Sequence, residues 1–465
     1  MAGSGFPQTP QATQRLETAH RRIATDLPTP ECLRMQQALS RVEARAMHGQ
    51  LPMVWDRAEG HNVYDAEGNK WIDFTCSIFV TNVGHGNARV RRALEAAVAK
   101  PLLHAYTYIT RERVEYLEYL LANTPASLEK AFCVSSGTEA TDCALKLMRL
   151  HAVKSGKRRR GVLCFEGNWH GRTMGAQFLG HNPGQKEWIG HVDPDIHHLP
   201  FPYPWRTEAW SDPRGFFRRG VEALCAAQGL DPAKDLCGLF LESYQGWGAF
   251  FYPEEFVQEA ARFARENGLL LGFDEVQSGF GRTGELFAYQ HYGVEADLIC
   301  CGKGASGSVP LSMVLGRADI MDLPETGSMS STHSAHPLAC VAGKAALEAL
   351  LVDGLLEQGR ERGAHFQARL AALQKRFPGV IQHVAGRGLV AGLILRDADD
   401  KPLTALCDAV AFEALCRGLI VVHTGRESIK LAPPLSIPLD ALDEGLDVLE
   451  QCLADCLARM GEVGA

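Results

Sequence analysis

No stretch of this 465-residue chain approaches the ~18 consecutive apolar residues of a membrane-spanning helix. Residues 1–30 lack an apolar h-region and are rich in Pro, Thr and Gln, so no signal peptide is expected. Basic charge is not in excess: 47 Lys and Arg face 55 Asp and Glu, a net charge of −8. That balance removes any general electrostatic case for nucleic acid or an anionic membrane. The one basic run, KRRR at 157–160, is local and reads as a solvated helix-to-strand connection. Zinc-type C-x-x-C pairs are missing, and Cys300–Cys301 are adjacent rather than spaced for a ligand site, so no metal centre is expected. There is no internal repeat and no low-complexity block.

What is present fits a large cytoplasmic protein. Most of the 14 cysteines lie in apolar segments, such as Cys133, Cys143, Cys164 and Cys340, where free cysteine behaves as a small hydrophobe. That usage suits a reducing compartment. Hydrophobic residues make up 46%, enough for a sizeable core. The length allows two or three domains at roughly 150 residues each.

Along the chain, residues 1–30 read as a loose or partner-draped tail, and Glu31–His48 as a helix stopped by Gly49. The segment MVWDRAEGHNVYDAEGNKWIDF alternates apolar and polar residues around two turn signals, which predicts a small antiparallel meander. After CSIFVTNVGHGN comes an amphipathic helix from Ala88 to Ala99. Helices over Arg111–Ala122, Thr138–Val153 and Pro253–Asn267 then interleave with strands over Lys130–Val134, Gly161–Phe165 and Leu236–Leu241. This order predicts a mostly parallel sheet covered on both faces. From Pro337 the pattern changes to two long helices, a glycine-rich strand pair (VIQHVAGRGLVAGLIL), a helix, a strand and a closing helix. The expected architecture is α/β in three parts. These are a tail, helix and meander over 1–75, a large domain with the mostly parallel sheet over 76–336, and a smaller α+β domain over 337–465.

The chemistry concentrates between Leu269 and Lys303. An apolar run, Leu269–Phe273, reads as a buried strand ending in Asp274 and Glu275. A second run, Leu298–Cys301, delivers Lys303 on a glycine-flanked turn. Both charged groups lie just beyond strand ends, where open α/β sheets bind ligands. A carboxylate and a lysine so placed suit pyridoxal phosphate, which needs a lysine for its Schiff base and an acidic partner for its pyridine nitrogen. Partial burial would lower the Lys303 pKa, as that role requires. Between them, Gly279-Phe280-Gly281-Arg282-Thr283-Gly284 matches G-x-G-x-x-G, the rival signature of a dinucleotide-binding oxidoreductase. Its context is wrong: five residues separate it from the strand end, and no acid stands roughly 20 past Gly284, the nearest to that position being Asp297, 13 past it.

Two further constellations carry alternatives. Ser135-Ser136-Gly137-Thr138 sits between a strand and a helix, where backbone N–H groups and the helix dipole can hold an anion, or where it is an ordinary N-cap. Asn168-Trp169-His170-Gly171 follows another strand. Trp169 there can stack on a planar cofactor or pack in the core, and His170 has the same ambiguity.

Together these segments, in this order from about Glu43 to the C-terminus, resemble the class III aminotransferases. That is the ornithine and γ-aminobutyrate aminotransferase-like branch of the fold type I pyridoxal-phosphate enzymes. The resemblance implies catalytic roles for Lys303, as the Schiff-base lysine and proton shuttle, and for Asp274, as the partner of the pyridine nitrogen. It implies a cofactor site completed by Ser136, Gly137 and Thr138 as phosphate cup, Trp169 as stacking ring where the family usually has Tyr or Phe, and Val276 packed on a ring face. Gln277 would lie near the 3′-oxygen, and Glu242 also belongs to the set. Thr332, in SSTHSAHPLAC, resembles a phosphate-contacting threonine donated by the neighbouring subunit, which implies a homodimer with shared active sites.

Two departures bear on substrate. Trp247 stands where many relatives carry a second glutamate, and Lys430, in SIKLAPPL, stands where they carry its arginine partner. Arginine recognises carboxylates bidentately and lysine does not. Trp247, Lys430 and Phe79 are therefore the candidate substrate residues. The expected activity is transfer of an amino group from a primary amine or ω-amino acid to an oxo acid such as pyruvate. The alternatives are an ammonia- or phospho-lyase on a small aminoalkyl phosphate or phosphonate, and, third, an amino-acid racemase.

Overall fold

A computed structural model describes residues 6–463. The chain divides into two compact units. One takes Ala88–Gly246 and Phe250–Leu356, and the other takes the chain up to Asn87, Trp247–Ala249 and the chain from Glu357 on.

The first unit is built on a seven-stranded sheet. Its strands are β1 (Lys130–Val134), β2 (Gly161–Phe165), β3 (Ile196–Leu199), β4 (Leu236–Glu242), β5 (Leu270–Asp274), β6 (Leu298–Cys301) and β7 (Ser312–Gly316), in spatial order β1-β7-β6-β5-β4-β2-β3. The pairings β6–β5, β5–β4, β4–β2 and β2–β3 are parallel, and only β7 runs against its two neighbours. Near-continuous apolar runs are what a sheet covered on both faces demands. Helix α1 (Gly137–Lys154) buries Ala140, Ala144, Leu147 and Met148 against Cys164, Phe240, Leu298 and Val314. On the opposite face Phe256 of helix α2 (Glu254–Asn267) meets Phe165, with ring centroids 5.6 Å apart. Each fully buried Leu, Val, Phe or Met among them stabilises by about 1.5–3 kcal/mol.

The sequence reading located five of the seven strands and missed β3 and β7. β3 reads IHHL, whose histidines mask the strand. β7 follows β6 without an intervening helix, so the βαβ rhythm gives no cue to it. The G-x-G-x-x-G segment is a buried, irregular turn: Phe280 and Gly281 both donate N–H to Leu286 O, and Arg282 is fully enclosed. No helix opens there, so it is not a dinucleotide loop.

The second unit carries two sheets. In one, strands at 57–59, 62–64 and 70–73 form the expected antiparallel meander. In the other, the glycine-rich pair Ile381–Arg387 and Val390–Leu395 extends to Ser428–Leu431 and Val422–His423.

Three expectations need correction. Residues 6–30 are not loose: Leu16–Glu17 pairs with Arg22–Ile23, which adds to the meander at Lys70, and Ile23 and Leu27 are buried with Trp71 and Leu415. The rest of that predicted tail, residues 1–5, lies outside the described residues. The helix Pro337–Leu351, assigned by sequence to the C-terminal domain, belongs to the first unit, where it packs on the helices Ala88–Ala99 and Arg111–Ala122. The segment up to Asn87 and the chain from Glu357 share one unit instead of forming two, because strand Leu419–Ile420 pairs directly with Ile72 and Asp73.

Close backbone approach sets one sharp requirement. A Cβ at Gly363, on the helix Leu355–Arg376, would lie 2.6 Å from Gly388 Cα in the hairpin turn. At Gly379 a Cβ meets nothing within 4 Å. Gly363→Ala should therefore cost about 1–3 kcal/mol in chemical denaturation, whereas Gly379→Ala should stay within about 0.5 kcal/mol of wild type. Equal effects would contradict the packing described.

Candidate active site

The strand ends of β4, β5 and β6 meet in register: Asp274 pairs with Glu242 on one side and with Cys300, three residues before Lys303, on the other. Asp274 and Glu275 are consecutive, so their side chains take opposite directions. Asp274 turns to a cavity of about 170 Å³ lined by Gly137, Thr138, Trp169, Glu242, Val276 and Lys303, among others. Glu275 turns into the core, where it accepts hydrogen bonds from Ser243 Oγ, Ser278 Oγ and the N–H groups of Ala288 and Tyr289. Burial pushes the Glu275 carboxyl up, against the pull of those donors.

Asp274 is held at both oxygens. His170 Nδ1 lies 2.8 Å from Oδ2, and Val276 N–H donates to Oδ1 at 3.0 Å. Glu242 accepts N–H donors from Trp169 and Gly246, each at 2.9 Å. Lys303 lines the same cavity. Burial draws its pKa below the ordinary lysine value, while Asp274 first and then Glu242 pull it back up. Its backbone sits at φ +39°, in the left-handed region a non-glycine residue adopts at a cost.

The N-terminus of α1 forms the far corner. Ser136 is its N-cap, and the Glu139 carboxylate accepts the N–H groups of Ser135 and Ser136 at 3.0 and 2.8 Å. Thr138 Oγ1 accepts from the backbone of Arg172 and Thr173, so the turn after His170 folds over the helix end. A Cβ on Gly137 would strike Val276 Cγ1 at 2.6 Å, which makes this glycine a requirement of the wall. Trp169, 42% exposed, is no core residue: it faces the cavity, and the Arg172 guanidinium lies 4.6 Å from its ring.

Of the predicted cofactor residues, Gly137, Thr138, Trp169, Glu242, Asp274, Val276, Gln277 and Lys303 line this one cavity. Ser136 caps the helix beside it. Thr332 is exposed and does not line it. The substrate candidates lie in the second unit, in two cation–ring pairs. Lys430 Nζ stands 4.3 Å from the Phe79 centroid, and the Arg426 guanidinium stands 3.7 Å from that of Trp247. Ser428 Oγ donates to Trp247 O at 3.1 Å, tying that residue to the strand that carries Lys430. Phe79 ends four consecutive non-glycine residues, Cys76–Phe79, with φ between 48° and 69°. Sequence reasoning missed Tyr244 and Ser278, which also line the cavity, and left His170 open between a site role and a structural one. The signal for His170 was its place after the strand next to the one bearing Glu242.

The Aminotransferase class-III family model matches residues 44–453. This chain belongs to the class-III aminotransferases. Among curated relatives, a 4-aminobutyrate aminotransferase of Mycobacterium leprae is 32% identical, covering 94% of this chain and 98% of its own. A 2-aminoadipate transaminase of Pseudomonas putida is also 32% identical, over 87% and 96%. A leucine/methionine racemase of Thermococcus litoralis is 34% identical, over 89% and 93%. Among solved structures, an (S)-enantioselective omega-transaminase from Thermomicrobium roseum matches with TM-score 0.80 at 28% identity, over 90% of this chain and 95% of that one. A PLP-bound amine transaminase from an uncultivated Pseudomonas species matches with TM-score 0.80 at 26% identity, over 89% and 97%. Pyridoxal phosphate is the cofactor of this aminotransferase fold, and the cavity suits it. It presents an amine with a lowered pKa, a carboxylate fixed at both oxygens, a wall kept thin by Gly137, and a helix N-terminus for an anion.

The lowered Lys303 pKa has a kinetic consequence. With Lys303 proposed as the amine that takes the cofactor, its neutral form is the nucleophile, so the rate at which cofactor-free enzyme develops the visible absorbance of bound pyridoxal phosphate should rise with pH. Its half-maximum should lie below 10.5, the ordinary lysine value. Glu242→Gln removes a charge that pulls the pKa up and should move the midpoint lower still. Stopped-flow absorbance across pH tests both, and a midpoint at or above 10.5 would refute the burial argument.

Proposed function

We propose that this class-III aminotransferase moves the amino group of a primary amine or ω-amino acid to an oxo acid such as pyruvate. The observation that carries the reading is the shared wall of Lys303, Asp274 and Glu242 at three adjacent strand ends. The names of relatives, which act on 4-aminobutyrate and 2-aminoadipate, support an amine carried by an acid-bearing chain.

When bound, pyridoxal phosphate supplies an electron sink for a carbanion at the substrate carbon. Lys303 is proposed to hold the cofactor covalently at rest, and its Nζ would then carry the proton from the substrate carbon to the cofactor carbon on the other side of the amine nitrogen. Asp274 keeps a proton on the pyridine nitrogen by its fixed charge. Ser136, Gly137 and Thr138 would hold the phosphate, Trp169 would stack on the ring, Val276 would pack on a ring face, and Gln277 would lie near the 3′-oxygen. Glu242 orients the turn that bears Trp169 through that residue's N–H. Thr332, being exposed, is assigned to the active site of a neighbouring subunit in a cytoplasmic homodimer. On sequence grounds Trp247, Lys430 and Phe79 are proposed to select the substrate.

A second reading is favoured by the paired change to Trp247 and Lys430: elimination from a small aminoalkyl phosphate or phosphonate, for which a point charge suffices. Racemisation is third, in keeping with the name of the Thermococcus relative.

One assay separates these. With amine but no oxo acid, the transaminase should stall after one turnover per site, whereas sustained release of ammonia or phosphate would establish a lyase. Lys303→Ala should lack the visible absorbance of the linked cofactor and lose turnover by roughly 10²–10⁴-fold or more. In the same panel Lys430→Ala should raise KM for anionic amines by roughly ten- to a hundredfold and leave uncharged amines unaffected. A uniform KM would take Lys430 out of substrate recognition.

A further inference from the structure

Behind Asp274 stands a second buried polar group that none of the roles above uses. Asn168 is 3% exposed, and its Nδ2 lies 3.1 Å from His170 Nε2. Its Oδ1 is buried with no hydrogen-bond partner. The imidazole itself is fully enclosed, with Phe240 at 4.8 Å between ring centroids. Its backbone is pinned, since Thr141 Oγ1 donates to His170 O at 2.8 Å. The far ring nitrogen, Nδ1, faces Asp274 Oδ2 at 2.8 Å. The charges near the ring are Asp274 itself, then Glu242 and Lys303 on the same cavity wall.

The proton arithmetic of this chain of three is restrictive. An amide nitrogen is only a donor and a carboxylate only an acceptor. With Nδ2–H directed at Nε2, that ring nitrogen must present its lone pair. The single ring proton then resides on Nδ1 and points at Asp274. The imidazole stays neutral, and Asp274 keeps its whole negative charge. Were the amide reversed, Oδ1 would call for a proton on Nε2. The ring would then be an imidazolium, and the pair with Asp274 would be neutral overall. A buried carbonyl left without a partner is rare and calls for a reason. Here Oδ1 is the group sacrificed to direct Nδ2 at the ring.

We propose that Asn168 is a positioning residue that keeps His170 Nε2 unprotonated, and thereby preserves the full charge that Asp274 presents to the cofactor's pyridine nitrogen. This rests on the reading of Asp274 as that nitrogen's partner. It does not depend on which amine is the substrate or on the fate of the carbanion.

The test uses the holoenzyme with ¹⁵N-labelled histidine and no substrate. His170 is assigned by the resonances lost in His170→Gln. In wild type one ring nitrogen should be bare and the other protonated between about pH 6 and 8. Asn168→Asp, equal in shape but acceptor-only, should protonate both nitrogens over that range and displace the pH at which the visible band titrates. Asn168→Ala, checked for folding by thermal unfolding, leaves Nδ1–H on Asp274 but removes the donor at Nε2, so Nε2 should take up a proton at a higher pH than in wild type. A doubly protonated His170 in wild type would overturn the proposal, and so would a wild-type pattern and band in both variants. Should Asn168→Asp fail to fold, the wild-type and Asn168→Ala spectra decide. Loss of amine-to-oxo-acid turnover with the tautomer intact would count against the proposed activity and leave Asn168 in its role.

Discussion

A carboxylate taken out of water must be held, and the holding of Asp274 is the constraint on which the cavity depends. Removal of its hydration is costly unless both oxygens find donors. Asp274 finds one in its own backbone, two residues on at Val276, and one in His170, 104 positions earlier in the chain. The first bond turns the chain at the end of β5 and thereby places Val276 on the wall. The second ties the turn after β2 to the same point, and that turn carries Trp169. A single buried charge thus fixes the relation of two loops that are remote in sequence.

The neighbouring acid shows how alternation divides labour. Glu275 points away from Asp274 and ends in the core, where Ser243, Ser278 and the backbone at 288–289 surround it. It fastens the long buried turn that leads from β5 to β6, and so to Lys303. One strand end therefore supplies a charge to the cavity wall and, one residue later, a charge that anchors the next strand's approach. Left-handed backbone occurs in each unit: at Lys303 in one, and in the other along the run Cys76–Phe79, which sets the ring beneath Lys430. Such backbone persists only where surrounding packing over-determines it.

Much of this was legible from residues. The apolar runs of β2, β4, β5 and β6 are uninterrupted because both faces are buried, so their ends, and the charged residues at those ends, could be read off directly. Gly137 and the helix behind it were legible because a strand, a small-residue turn and an amphipathic helix follow one another without a gap. β3 and β7 were not, since the first is half polar and the second breaks the βαβ alternation. The tail was misread because its few apolar residues, Ile23 and Leu27, find their partners in Trp71 and Leu415, tens to hundreds of positions away.

By itself the sequence determined the family and its cofactor, and set an acid pair and a lysine at neighbouring strand ends, because each depends on local patterns: a strand's apolar run, the residue that ends it, a glycine that permits a close approach. Only the tertiary structure decided that Asp274 and not Glu275 faces the cavity, that His170 is its partner, and that Asn168 stands behind the ring. It also decided which unit each helix belongs to. Those facts arise from contacts between segments far apart in the chain. No local pattern encodes them, since packing and hydrogen-bond satisfaction are settled only when the whole sheet has closed around its core.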